Sequence, residues 1–167
     1  MEIIIIILSI IQAMSISLGV GSSTMAILNF FKAISDGSID PVERSFMGIT
    51  YVVLRIAMVL ILLTTAGLAA IGLFEIGPDY TTNYVLAQVF LTTVLFVNAT
   101  LMTARIMPST LGPAIQASSW YSLGFIIALV PHGLSEFDFL LFISVYLVFL
   151  LVVTFIIRGV MSHLKRR

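Results

Sequence analysis

The sequence predicts an all-α integral membrane protein, a five-transmembrane-helix antiparallel bundle with its N-terminus outside and its C-terminus inside. Three observations carry this. Of 167 residues, 60% are hydrophobic and 10% charged, and the mean hydropathy is +1.17. A soluble domain carries about 25% charged residues, and a chain this apolar cannot cover itself with polar surface in water. Five continuous apolar runs approach or exceed the roughly 20 residues that cross a ~30 Å hydrocarbon core. All eight basic residues then fall on one side of a five-span chain, as the positive-inside rule requires.

The runs cover about Ile3–Ile34, Val42–Phe74, Tyr84–Met107, Pro113–Val130 and Phe137–Val160, within one transmembrane domain over residues 1–167. They do not alternate as barrel strands would, and an open strand leaves its backbone unpaired in lipid. The first run follows Met1-Glu2 without a basic leader segment and reads as a retained helix rather than a signal peptide. Ser35-Asp36-Gly37-Ser38 separates the first two helices. Asp40, Pro41 and Glu43 form a capping box with proline at the first helical position. Gly77-Pro78-Asp79 and the stretch Pro108–Pro113 punctuate helices three and four, and Pro131-His132-Gly133 ends helix four. Ser135 with Asp138 repeats the capping pattern before helix five.

Orientation follows from charge. Lys32, Arg44, Arg55, Arg105, Arg158, Lys165, Arg166 and Arg167 cluster at the first loop, the third loop and the C-terminal tail. The opposite side carries Glu2, Glu75, Asp79, Glu136 and Asp138. The expected location is therefore the plasma (inner) membrane, multi-pass, with a cytoplasmic C-terminus.

Polar residues inside the spans are the candidate polar and packing site. Asn98 and Gln88 lie on helix three, Gln12 on helix one; either they hold helices together or they line a path for a solute. Asn98 is the deepest, and it is expected to face the bundle and bond helix one or two. Arg55 either faces a cavity and binds an anion or snorkels from an overlong helix, and snorkelling is preferred. Ser15, Gly19 and Ser23 recur every four residues, as do Ser17 and Gly21. Gly19 and Gly21 are both expected to face another helix, and an unwound helix lining a substrate site is the alternative.

Several chemistries are excluded. The chain has no cysteine, hence no thiolate site or disulfide. His132 and His163 sit on opposite sides of the last span and cannot share a metal or haem. Met14 and Met25 share a face of helix one and could ligate Cu(I), but packing is the preferred reading. Asp36–Glu43 has oxygen ligands for only half of a calcium loop. No nucleophile has a base near it, and no carboxylate pair lies within a span. No enzyme activity, cofactor, metal or nucleic-acid partner is expected; the partners are the lipid bilayer and a second copy or another membrane protein.

Two stretches resemble an uncharacterised family of small polytopic bacterial membrane proteins, loosely similar to copper-resistance D-like proteins. They are Leu18–Asp40 and Asn98–Pro108. The second matches a family pattern of asparagine, histidine, basic residue and proline at Asn98, Thr103, Arg105 and Pro108, with Thr103 replacing the histidine. The resemblance implies the topology and assigns no activity. The first expectation is thus a non-enzymatic scaffold, accessory subunit or homo-oligomer. The second is a small-solute or ion transporter or channel with a polar site around Asn98, and the third a membrane redox protein.

Overall fold

The computed structural model describes residues 1–35, 40–77, 82–108, 110–132 and 136–164. They form five α-helices: α1 (Glu2–Ser35), α2 (Pro41–Glu75), α3 (Asn83–Thr103), α4 (Leu111–Leu129) and α5 (Phe139–Leu164). A single 3₁₀ turn, Val130–His132, extends α4, and no strand occurs among the described residues. Helices α1, α2, α3 and α5 are each long and apolar enough to cross a membrane. Helix α4 is not among these four, and it is the most enclosed. Ten of its 19 residues are buried, against four of 26 in α5.

The helix ends show what fixes each boundary. At α2, Glu43 N–H donates to Asp40 Oδ1 at 2.7 Å and Asp40 N–H to Glu43 Oε2 at 3.4 Å, the expected capping box. The Thr82 hydroxyl oxygen caps α3 by accepting from Val85 N–H. At α5 the cap is Asp138 itself, which accepts from Leu141 N–H at 2.8 Å. Ser135, the other half of the expected pairing, lies outside the described residues, as do 36–39 and Pro78-Asp79. Helix α3 stops at Thr103, four residues before the sequence limit at Met107. The stop is a Schellman turn: Ile106 N–H donates to Leu101 O and Arg105 N–H to Met102 O. Arg105 takes the left-handed conformation there, φ 57°. Helix α4 begins two residues ahead of Pro113, whose missing N–H would be unpaired anyway in the first turn.

Helices α1 and α2 form the most extensive helix pair. Their cross-links, Gln12–Thr65, Asn29–Thr50 and Lys32–Glu43, step in opposite directions along the two chains, so the pair is antiparallel. Helix α4 packs against α1, α3 and α5. Its centre is Trp120, fully buried, in one cluster with Ile16, Ile61, Leu91, Leu95 and Leu123.

Gly19 explains how α1 reaches α4. A Cβ at Gly19 would collide with the Trp120 ring, so only a hydrogen at this position lets the indole come this close to the α1 backbone. Gly21 does the opposite of what the four-residue spacing suggests. It is exposed, and a Cβ there meets nothing within 4 Å. Two residues turn a helix by about 200°, so Gly19 and Gly21 cannot share a neighbour. Ser17, on the Gly21 side, is exposed and bonds its own helix at Ala13 O. The helix is continuous from Glu2 to Ser35, which removes the unwound alternative. Met14 and Met25 are exposed too and take no part in the core.

Gly19→Ala should therefore lower stability in detergent by about 1–3 kcal/mol through overpacking. In a Trp120→Leu background the same change should cost under about 1 kcal/mol, since the two sites are in contact and couple. Gly21→Ala should be neutral or stabilising. Equal penalties for Gly19→Ala in both backgrounds, read by thermal unfolding, would refute the contact.

Candidate functional site

The polar residues singled out in the sequence separate into two cavities, one near each end of the bundle. They share the seam between α2 and α3, which pack on each other far less than either packs on its hairpin partner. The larger, about 460 Å³, lies at the basic end. Ser23, Ala26 and Phe30 from α1 and Pro113 and Gln116 from α4 line it, together with Arg55 and Met58 from α2 and Met102 and Thr103 from α3. The smaller, about 190 Å³, lies at the acidic end among Ser9, Gln12, Thr65, Tyr84 and Gln88.

At the acidic end the polar groups satisfy one another. Gln12 Nε2 donates to Thr65 Oγ1 at 3.2 Å, tying α1 to α2. Gln88 Nε2 donates to the Tyr84 hydroxyl at 2.8 Å, one turn earlier on α3. Both amides are buried yet line the cavity.

At the basic end the organising group is Asn98, 2% exposed. Its Nδ2 donates to Gly112 O at 2.9 Å and to Gln116 Oε1 at 3.1 Å. Asn98 thus faces the bundle, but its partner is α4 rather than α1 or α2. Only the short connection from Thr103 to Leu111 separates α3 from α4, so the two helices meet at this depth, and α1 is occupied by Trp120. Gly112 allows the approach: a Cβ there would sit 2.8 Å from Met102 Cγ.

These bonds fix which way both amides point. Reversing Asn98 would set Oδ1 against the Gly112 carbonyl, acceptor against acceptor. With Asn98 fixed, Gln116 must turn Oε1 toward it and present its NH₂ elsewhere. That NH₂ reaches only the Met58 sulfur, at 3.6 Å, and a thioether is a weak acceptor. Gln116 is 5% exposed and forms part of the cavity wall. Asn98 Oδ1, facing away, has no partner.

Arg55 lines the mouth of this cavity and is exposed, with no ion pair among the described residues. Ser23 lines it as well, its hydroxyl donating to Val20 O. The site residues therefore assemble as Arg55 and Ser23, with Asn98 one bond behind, in one cavity, and Gln12 with Gln88 in the other. Gly19 lies between them, and Gly21 belongs to neither. Sequence reasoning missed Gln116 and Trp120. The available signal was composition: Gln116-Ala117-Ser118-Ser119-Trp120-Tyr121-Ser122 is the longest weakly apolar run inside any helix, and a cluster of an amide and hydroxyls is best sheltered by other helices.

Between the cavities is a plug of mainly apolar side chains, with the Thr92 hydroxyl buried without a partner in the same interval of α3. Along α2 the cavities end at Met58 and Thr65, seven residues or about 10 Å apart. Along α1 they end at Ser23 and Gln12, and along α3 at Ala99 and Gln88, about 16 Å in each case. Ile16, Ile61, Leu91 and Leu95 occupy that interval in one cluster, all 4% exposed or less.

Comparison with family models, with curated proteins and with solved structures gives no match. In the Asn98–Pro108 stretch that carries the family resemblance, Asn98 is committed to α4, and Thr103 to Ile106 form the helix end.

Asn98→Leu should cost about 1–2 kcal/mol, because it leaves Gln116 Oε1 and Gly112 O without a donor. Removing both amides with Asn98→Leu and Gln116→Met should cost less than the sum of the single changes. Additive losses in denaturant titrations would show that the two side chains do not depend on each other.

Proposed function

We propose that the chain is a five-span plasma (inner) membrane protein, basic end in the cytoplasm, that carries a small solute along the α2–α3 seam. The observation behind this reading is the pair of cavities stacked on one loosely packed seam and closed from each other by a thin apolar plug. A bundle that only holds other proteins has no need of cavities at both ends. A carrier does, since its site must face each side in turn and the plug must part between. Transport is thus preferred to the scaffold reading, and no reaction chemistry is invoked.

Lengths favour five spans. Helix α3, with 21 residues, and α4, with 19, measure about 31 and 28 Å, one hydrocarbon thickness each. The polarity of α4 is no obstacle when neighbours cover it. Glu75 and Arg55 lie twenty residues apart on α2, about 30 Å, which sets Arg55 at the cytoplasmic headgroups when Glu75 is at the outer ones.

The natural absence of cysteine makes a direct test simple. Single cysteines are introduced and exposed to a membrane-impermeant maleimide from either side. Ser162→Cys should react only from the cytoplasm and Glu75→Cys only from outside; both reacting from one side would remove the five-span topology. Leu95→Cys, in the plug, should react slowly from both sides as the seam cycles. Complete protection of Leu95→Cys, while both end positions react, would return the protein to the scaffold reading.

A further inference from the structure

We infer that the basic-end cavity binds a single-chain organic anion, with its carboxylate at Arg55 and its chain along Met58, Met102 and Phe30. The inference rests on the transport reading and names the class of solute. Charge is the first ground. Among the described lining residues Arg55, at the mouth, is the one charged side chain; the Gln116 NH₂ lies deeper in the wall, and the Tyr51, Ser23 and Thr103 hydroxyls can donate or accept. No Asp or Glu lines the cavity, and Arg55 has no ion pair among the described residues. A cation would find no counter-charge there, whereas a carboxylate would meet a planar five-donor fork.

The walls supply the second ground. Apart from Arg55, Gln116 and the Ser23, Tyr51 and Thr103 hydroxyls the lining is apolar, with three methionines, Met58, Met102 and Met107. Unbranched, polarizable thioethers fill irregular space and adapt to flexible chains. A volume of about 460 Å³ lies in the range that encloses a whole organic ligand; a bare inorganic anion would leave most of that apolar wall wet.

The test uses the full chain in phosphatidylcholine nanodiscs, with thermal unfolding as readout. Dodecanoate should raise Tm saturably. Acetate, with the head alone, dodecanol, with the chain alone, and dodecylammonium, with the opposite charge, should not. Arg55→Gln leaves the protein's own bonds intact and should weaken the dodecanoate response about tenfold or more. A response to dodecanol or dodecylammonium equal to that for dodecanoate would overturn the anion assignment without reference to any variant. A full response to acetate would overturn the chain. If phosphatidylglycerol in the disc raises Tm and abolishes the dodecanoate response, the occupant is a bilayer lipid and the single-chain claim falls. The two proposals separate cleanly: a dodecanoate response with an inert Leu95→Cys keeps the site and removes transport. No dodecanoate response with a reactive Leu95→Cys removes this solute class and keeps transport.

Discussion

In hydrocarbon a polar side chain can be satisfied only by protein or by enclosed water, and α4, which the proposed five-span topology sets there, places Gln116, Ser118, Ser119 and Ser122 within two turns. All four are buried. Neighbouring helices answer two of them, Gln116 and Ser119, while Ser118 Oγ is enclosed without a partner. Helix α1 covers α4 through Gly19 on Trp120 and through the Thr24 and Tyr121 hydroxyls, 2.8 Å apart. Helix α3 covers it through Asn98, and α5 through the Tyr146 hydroxyl, 2.9 Å from Ser119 Oγ. Because lipid tails are as apolar as leucine, burying apolar area contributes little to helix association in a membrane; close packing and interhelical hydrogen bonds matter more. The α4 contacts are of these two kinds.

The cavities follow from the same arrangement. With α1 engaged by both α2 and α4, and α3 drawn toward α4, the α2–α3 seam is left loosely packed. Where apolar side chains from α1, α2 and α3 converge, at Ile16, Ile61 and Leu91, the seam closes. Toward either end it opens, and there the helices carry amides, hydroxyls and Arg55. A seam with little holding it and polar ends is the part of the bundle best able to open.

Much of the fold was legible because it rests on local chemistry. The Asp40 capping box and the apolar runs are encoded within a few residues and need no tertiary context. Gly19 was legible for the same reason: a small residue every fourth position marks a packing face. Gly21 misled because the same spacing recurs on the side of α1 that no helix covers, and spacing alone does not say which face is used. The partner of Asn98 was not legible, since depth in a span fixes the need for a bond and leaves open which helix answers it. Arg105 ends α3 in a left-handed turn usually given to glycine, so the boundary carried no compositional mark. Gln116 and Trp120 went unnoticed because each is ordinary alone; their meaning lies in the polar run Gln116–Ser122 in the middle of α4.

The burial of α4 is most directly measured through Trp120, the single tryptophan of the chain. Its fluorescence in nanodiscs reports its surroundings without any substitution. Sheltered on all sides, it should resist quenching both by lipids brominated along their acyl chains and by aqueous acrylamide. Strong quenching by the brominated lipids would mean that α4 faces the bilayer, and would contradict the account of how the other four helices are arranged.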